Sequence, residues 1–201
     1  LGSPVAGIAK DEIIDATPAI REIQKIVTDD EFQNLPRKFK SAISGNARQD
    51  VVHEINDLAF IGVEHPELGP GFECYVGGGL STNPMLAQSL GAFVTLEQVP
   101  DVWANVVRIF RDYGYRRLRN RARLKFLVAE WGIEKFRRVL EEEYLGYSLP
   151  DGPKAPDNLV DRDHIGVHEQ KDGNVYIGVK PTLGHMSGEQ LIALADLAER
   201  Y

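Results

Sequence analysis

The stretch Leu58-Ala-Phe-Ile-Gly-Val63, followed by Phe72-Glu-Cys-Tyr-Val76, decides the fold of this chain. The first run is almost wholly apolar, which is typical of a strand covered on both faces of a sheet. The second run alternates and predicts another strand. Residues 65–71, which link the two runs, are turn-forming throughout. The sequence therefore predicts two strands joined by a turn, the first of them buried.

Helices are predicted further along the chain, where apolar residues recur at helical spacing. Thr95-Leu-Glu-Gln98 has the pattern of a capping box, and Gly114 is expected to end the helix that follows it. A second helix is predicted from Leu124 to Trp131 and a third from Ile133 to Tyr144. Gly132 separates these two helices. This is the most strongly patterned helical region of the sequence.

The two ends of the chain give weaker patterns. A helix is predicted from about Thr17, and a short strand from Phe39 to Ser44. Residues 146–163 contain several prolines and acids without periodicity and are interpreted as a linker. Beyond them, Asp172-Gly173 predicts a hairpin between two short strands, and Ser187-Gly-Glu-Gln190 predicts the start of a helix.

Composition excludes several classes of protein. The 201 residues are 43% hydrophobic and 26% charged, which is ordinary globular composition, and no apolar run is long enough to span a membrane. The single cysteine, Cys74, excludes an internal disulfide and a self-contained zinc or iron–sulfur site. The histidines do not form a metal-binding set, so no metal ligands are assigned. We expect a reducing, cytoplasmic location.

The net charge of −7 is unevenly distributed. Between Arg108 and Arg138 there are eleven basic and three acidic residues, a local charge of +8. Such a run favours an anionic partner, although a solvated helix face with scattered ion pairs is the commoner explanation. The acidic overall charge, and the lack of aromatic residues between the six cations of the densest part, residues 115–125, argue against a nucleic-acid binder.

The segment Asn34-Leu-Pro-Arg-Lys-Phe-Lys40 is the most informative for chemistry. If Phe39 begins a strand, Lys38 and Lys40 share one face, because alternate side chains of a strand do so. Two neighbouring ammonium groups can bind an anion between them and favour protonation of an anion that is being reduced. The alternative is an edge strand protected by lysines, and spacing alone favours that alternative.

Three glycines, Gly77 to Gly79, follow a predicted strand directly. Without side chains they allow backbone amides to approach a ligand closely. The run lacks the spacing of a dinucleotide fingerprint and the lysine of a P-loop. A tight turn is the commoner explanation of such a run.

Five motifs together resemble the ferredoxin-dependent sulfite/nitrite reductases, which use sirohaem and a 4Fe–4S cluster, and most of all the actinobacterial sulfite reductases. No single motif is decisive, but their joint order is specific to that family, and the resemblance covers essentially the whole chain. The motifs are Leu35-Pro-Arg-Lys-Phe-Lys-Ser-Ala-Ile-Ser-Gly45, His53-Glu-Ile-Asn-Asp57, Val76-Gly-Gly-Gly-Leu-Ser-Thr-Asn-Pro84, Phe110-Arg-Asp-Tyr-Gly114 and Arg121-Ala-Arg-Leu-Lys125.

The resemblance implies an α+β fold and a domain plan. The family is built from two copies of a unit, each a ferredoxin-like half followed by an α/β half. Residues 1–145 resemble the sirohaem-side α/β half of the first copy, 146–163 form a linker, and 164–201 begin the second ferredoxin-like half. The chain therefore resembles an internal piece of a longer enzyme, and the absence of an initial Met agrees with that expectation.

The resemblance also implies roles for single residues. Lys38 and Lys40 match the lysines that bind the substrate anion at the sirohaem iron, and Arg37 matches an arginine that pairs with a sirohaem carboxylate. Arg123 and Lys125 are candidates for further carboxylate partners. Because sirohaem carries several negative charges, this role would explain the local excess of basic residues. Gly78 and Gly79 are assigned to cofactor binding as well.

The implied activity is six-electron reduction of sulfite to sulfide, with ferredoxin as the electron donor. A nitrite reductase on the same scaffold is the alternative, and a third reading is a folding or interaction unit without activity of its own. The four cysteines that hold the cluster in the family have no counterpart here, so the chain alone is expected to bind neither cofactor and to be inactive.

A homodimer is expected for the isolated chain. Without the rest of the enzyme, the apolar strand Leu58–Val63 and the hairpin Ile165–Val179 would lose their natural cover. Exposed apolar faces of this kind recruit another chain, and the linker would allow two chains to exchange their C-terminal pieces.

Overall fold

The computed structural model describes residues 1–81, 83–157 and 163–200. The described residues form two compact units, one within Leu1–Arg162 and the other within Asp163–Tyr201. The first unit combines a mixed sheet with helices, and the second combines a hairpin with one helix. The predicted α+β class is confirmed.

A four-stranded sheet organises the first unit. Its strands lie in the order β1-β2-β3-β4, with β1 parallel to β2 and the other neighbours antiparallel. The strands predicted at residues 58–63 and 72–76 are both confirmed. The last strand was not predicted, because Ser89 and Gly91 interrupt its apolar pattern. The strands are β1 (Ser41–Ser44), β2 (Leu58–His65), β3 (Gly69–Val76) and β4 (Gln88–Val94).

The helices of the first unit follow the predicted pattern. Gln98 Oε1 accepts a hydrogen bond from the Thr95 N–H at 3.1 Å, which is one half of the predicted capping box, and the next helix ends before Gly114. After α4 the chain continues as a π-helix, Leu140–Leu145. The α-helices of this unit are α1 (Thr17–Ile26), α2 (Val99–Tyr113), α3 (Leu124–Trp131) and α4 (Ile133–Val139).

The sheet is covered on both faces by the chain itself. One face packs Phe60 and Phe72 against Phe110 of α2, and the other packs Ile61 with Phe93. Residues 58–63 of β2 are all buried, as the apolar run predicts. The expectation that this strand would be left without cover is therefore wrong.

Part of the predicted linker is packed onto the first unit. The Phe93 N–H donates to the carbonyl of Pro150 at 2.8 Å. Ala155 is buried, and its N–H donates to the carboxylate of Glu73. The expectation of a flexible connection is wrong for this part of the chain. Residues 158–162 of the predicted linker lie outside the described residues.

The second unit has the predicted hairpin and helix. Strands β5 (Gly166–Glu169) and β6 (Val175–Gly178) pair antiparallel around Asp172-Gly173. Helix α5 (Gly188–Arg200) follows a complete capping box, because Ser187 Oγ accepts from the Gln190 N–H and Gln190 Oε1 accepts from the Ser187 N–H. Within residues 163–200, no side chain is buried.

The helices of the described residues include none that is both long enough and apolar enough to cross a membrane.

Candidate functional site

The segment before β1 is not a strand. Strand β1 begins at Ser41 rather than at Phe39, so the alternation argument does not apply to the two lysines. Phe39 packs against Phe110, with ring centroids 5.7 Å apart. This anchors the segment to helix α2 immediately beside Lys38 and Lys40.

Lys40 is held by three hydrogen bonds, one of which its carbonyl accepts from the Leu58 N–H at 3.2 Å. Its main-chain N–H donates to the carboxylate of Asp57 at 2.8 Å, and its ammonium donates to the carbonyl of Ile55 at 2.8 Å. An ammonium has three donors, so one is used and two remain for another acceptor. The side chain is half-buried, which suits a group that presents a fixed charge.

Lys38 and Arg37 are exposed. The Arg37 guanidinium donates to the carbonyl of Arg119 at 2.8 Å. Among the residues that the structure describes, none forms a hydrogen bond or ion pair with the Lys38 ammonium. Both side chains line an open cleft of about 810 Å³.

The walls of this cleft are mostly apolar, and its cations are Arg37, Lys38 and Arg119. Phe32 and Trp103 pack against each other in the wall, with ring centroids 5.4 Å apart. Trp103 also donates from Nε1 to the hydroxyl of Ser41 at 2.8 Å, which ties α2 to the start of β1. An anion with a large apolar body matches such a surface, because apolar walls bind the body and the cations bind its charge.

Asp57 and Arg123 form a buried ion pair. Arg123 donates from Nε and Nη2 to the two carboxylate oxygens of Asp57, at 3.1 and 2.7 Å. Asp57 is fully buried and Arg123 is 8% exposed. Burial raises the pKa of the Asp57 carboxyl, and the hydrogen bonds from Arg123 oppose that shift. Arg123 is therefore directed at a protein carboxylate, whereas the resemblance implies a cofactor carboxylate.

Lys125 is also directed inward. Its ammonium donates to the carbonyls of Gly79 at 3.1 Å, of Leu80 at 2.8 Å, and of Asn83. Burial lowers the pKa of this lysine. All three donors of the ammonium are used, so in this arrangement Lys125 holds the loop after β3 and has none left for a cofactor carboxylate.

The glycine run serves close packing. The Gly78 N–H donates to the carbonyl of Asn56, and the Gly79 N–H to that of Met85. A Cβ on Gly78 would lie 2.3 Å from the Glu54 carbonyl oxygen, which no side chain tolerates. Both amides already donate to protein carbonyls. Cofactor contact by Gly78 and Gly79 stays a prediction.

The basic run divides into two parts. Arg108 donates to the carboxylate of Glu31, and Arg116 donates to the side chain and carbonyl of Asn34. These residues connect the helices to the segment that leads to β1. Arg117 and Arg121 are exposed, like Arg119 at the cleft, and so are Lys135 and Arg138 further along the run.

Cys74 is fully buried in the core, where burial raises the pKa of its thiol. The thiol is neutral at ordinary pH and is a poor metal ligand in that form. Within residues 1–81, 83–157 and 163–200, no group of three or more His, Cys, Asp or Glu side chains could hold a metal ion. The donor set for an iron–sulfur cluster is therefore not formed by these residues.

Asp57 was not assigned to the site from the sequence, although it contacts two of the assigned residues, Lys40 and Arg123. A signal was available, because this carboxylate stands directly before the apolar run 58–63. Burying a carboxylate at the start of a buried strand is unfavourable in free energy unless cations pair with it. The structure brings Lys40 and Arg123 to this carboxylate, and leaves Lys38 and Arg37 at the cleft.

Two family models match the chain. The family model described as "Nitrite and sulphite reductase 4Fe-4S domain" matches residues 1–149, and "Nitrite/Sulfite reductase ferredoxin-like half domain" matches residues 168–201. The chain belongs to the nitrite and sulphite reductase family. The resemblance drawn from the five motifs is confirmed.

Particular relatives are close in sequence and structure. The chain is 58% identical to "Sulfite reductase [ferredoxin] 2" of Mycolicibacterium paratuberculosis, over 100% of this chain and 36% of that protein. It is 36% identical to the "Assimilatory ferredoxin-dependent nitrite reductase" of Haloferax mediterranei, over 100% of this chain and 37% of that protein. The solved structure of the Mycobacterium tuberculosis NirA protein matches with a TM-score of 0.93 and 57% identity, covering 100% of this chain and 36% of that one. The chain thus spans about a third of the length of these relatives.

Proposed function

We propose that this chain is part of a ferredoxin-dependent sulfite reductase, in which it forms one wall of the site that binds sirohaem and the substrate anion. The observation that carries the proposal is the cleft of about 810 Å³ whose cations are Arg37, Lys38 and Arg119. Lys40 does not line the cleft itself but stands between the lining residues Phe39 and Ser41, and its ammonium keeps two donors for an anion after its bond to Ile55. The proposal is supported by the family resemblance, which assigns Lys38 and Lys40 to the substrate anion and Arg37 to a sirohaem carboxylate.

Sulfite is the favoured substrate. Identity is 58% to a relative named as a sulfite reductase and 36% to one named as a nitrite reductase. Both anions need a cationic site, so charge alone does not separate them. Ferredoxin is the proposed electron donor, because the names of both relatives include it. We propose the cytoplasm as the location, since the one cysteine is a free, buried thiol.

The residues at the cleft fit part of a sirohaem site. Sirohaem carries several carboxylates, and Arg37 and Arg119 offer guanidinium groups that bind carboxylates with directed hydrogen bonds. When bound, the group supplies the iron at which the substrate is reduced. Arg123 and Lys125 act indirectly in this proposal, by holding Asp57 and the loop after β3 in place.

The residues of this chain do not fit the iron–sulfur cluster. Four thiolates hold such a cluster in the common case, and the chain has one buried cysteine. We therefore expect the isolated chain to show no stoichiometric visible absorption and no bound iron. A purified chain with a cluster spectrum would contradict this assignment.

Lys38 and Lys40 have separate tasks in this proposal. Lys38 is free to turn toward the anion, and Lys40 presents a charge from a fixed position. Each contributes charge-assisted hydrogen bonds to the oxygens of the anion, and the local positive field favours its protonation as electrons arrive. Neither lysine has to lose a proton permanently for this role, because the cation itself is the binding group.

The test uses the complete enzyme and three alanine variants. Lys38→Ala and Lys40→Ala should each lower kcat/KM for sulfite by about tenfold to a hundredfold, as expected for a lost charge-assisted contact of about 1.5–3 kcal/mol. Lys154→Ala is the matched control, since this exposed lysine lies away from the cleft residues in sequence. Its activity should stay close to that of the unchanged enzyme.

Turnover of sulfite and of nitrite should be compared in the same preparations. A higher kcat/KM for sulfite supports the proposal, and a higher value for nitrite replaces it with the nitrite reductase. Near-normal turnover of both the Lys38 and the Lys40 variants would instead favour the interpretation of these lysines as surface residues.

A further inference from the structure

The short segment of residues 53–57 lies between three motifs that are far apart in the sequence. It contains a 3-10 turn, His53–Ile55, and ends at Asp57, one residue before β2. The carboxylate of Asp57 accepts hydrogen bonds from the Lys40 main chain, 17 residues away, and from the Arg123 side chain, 66 residues away. One buried carboxylate thus joins the segment before β1 to the segment before α3.

The carbonyls of this segment make further connections. The Ile55 carbonyl accepts from the Lys40 ammonium, at 2.8 Å. The carbonyls of Asn56 and Asp57 accept from the N–H groups of Gly78 and Gly77, both at 2.9 Å. Every link is a hydrogen bond to a buried or half-buried partner, where such bonds restrict motion most.

We propose that Asp57 is the positioning residue that fixes Lys40 for anion binding; this inference rests on the proposed function of Lys40. Lys40 lies one residue before β1, and a single backbone hydrogen bond, from the Leu58 N–H to its carbonyl at 3.2 Å, ties it to β2. The carboxylate of Asp57 adds a second tie by accepting the Lys40 N–H, and the Ile55 carbonyl then orients the ammonium. Arg123 reduces the free-energy cost of burying this carboxylate, because it neutralises the charge.

The proposal is tested by a double-mutant cycle in the complete enzyme. Asp57→Asn keeps the size of the side chain but removes the charge that holds both Arg123 and the Lys40 N–H. We expect it to raise KM for sulfite about tenfold, with a smaller change in kcat. In the Lys40→Ala background, the same substitution should change KM little, because the ammonium to be positioned is already absent.

Asp50→Asn is the matched control. Asp50 also accepts hydrogen bonds from side chains near β1, those of Ser3 and Ser44, but it lies at the other end of the strand. Its effect on KM should be the same whether residue 40 is lysine or alanine. If Asp57→Asn is also equally damaging in both backgrounds, the carboxylate is only structural and the proposal is overturned.

Hydrogen exchange of the unchanged enzyme gives a test that does not depend on folding of a variant. The Lys40 N–H should exchange at least about a hundredfold more slowly than the Lys38 N–H, because only the former donates to a buried carboxylate. Equal exchange rates would overturn the positioning role. If the Lys40 N–H is protected but Lys40→Ala leaves KM unchanged, the proposed function of Lys40 fails and the positioning role fails with it; slow exchange with a raised KM supports both.

Discussion

The two units of the chain bury their apolar residues very differently. In the first unit the apolar residues of the sheet are enclosed on both faces, and Ile61 is 0% exposed. In the second unit, Ile177 sits on a strand of the same kind and is 65% exposed. The difference shows that an apolar strand becomes a core only when layers lie on both of its faces.

The small size of the second unit explains why its hairpin is exposed. The Val167–Ile177 pair lies directly across β5 and β6, and Val175 and Val179 are more than half exposed beside it. Two strands and one helix offer too little surface to cover this face, because small units bury only a modest fraction of their area. The second unit therefore carries the apolar pattern of a buried sheet without the cover.

The largest expected difference between the units is in the cost of a matched substitution. Ile61→Ala should lower the free energy of unfolding by about 2–5 kcal/mol, since it leaves a cavity in a closed core. Ile177→Ala should change it by less than about 0.5 kcal/mol, since the side chain is largely in solvent. Denaturant unfolding of the chain measures both, and comparable losses would show that the hairpin is covered in solution.

A second prediction concerns self-association of the chain. If the hairpin face is covered by another copy, Ile177→Lys should weaken association by about tenfold or more, because the interface would have to bury a charge. Leu68→Lys is the matched control, an exposed apolar residue between β2 and β3 of the first unit. Light scattering across a concentration series measures the molar mass of each variant. A monomer mass at every concentration would contradict the expectation of a homodimer.

The smallest expected effect is a pH-dependent one. Hydrogen bonding from Arg108 lowers the pKa of Glu31 in the first unit, so the pair stabilises the fold above the ordinary carboxyl pKa. That contribution is lost as the pH falls through the lowered pKa. Glu31→Gln should cost under about 1 kcal/mol near pH 7, because the pair is partly exposed, and the difference should vanish in acid.

The second unit supplies the control for this pH dependence. The pKa of Asp172 is also lowered, but by the Asn174 N–H within the hairpin turn. Asp172→Asn should leave unfolding of the first unit unchanged at every pH. A pH-dependent loss from this substitution would mean that the two units unfold together.

The sequence by itself determined the class of fold, the central strand and the family. The run 58–63 is almost wholly apolar, which is typical of a strand covered on both faces. The capping box at Ser187 and the turn at Asp172-Gly173 are local signals that the structure confirms, because their partners lie within a few residues. Of the capping box at Thr95, the structure shows one of the two hydrogen bonds. Motif order identified the family for the same reason, since it requires no knowledge of contacts.

The tertiary structure alone decided which cations are available. Lys38, Lys40, Arg123 and Lys125 look alike in the sequence, but only the fold pairs Arg123 with Asp57 and surrounds the Lys125 ammonium with three carbonyls. Those partners lie more than forty residues away, so no local pattern carries the information. A buried charge must find its partners wherever the chain brings them, whereas the exposed Lys38 remains free for an anion.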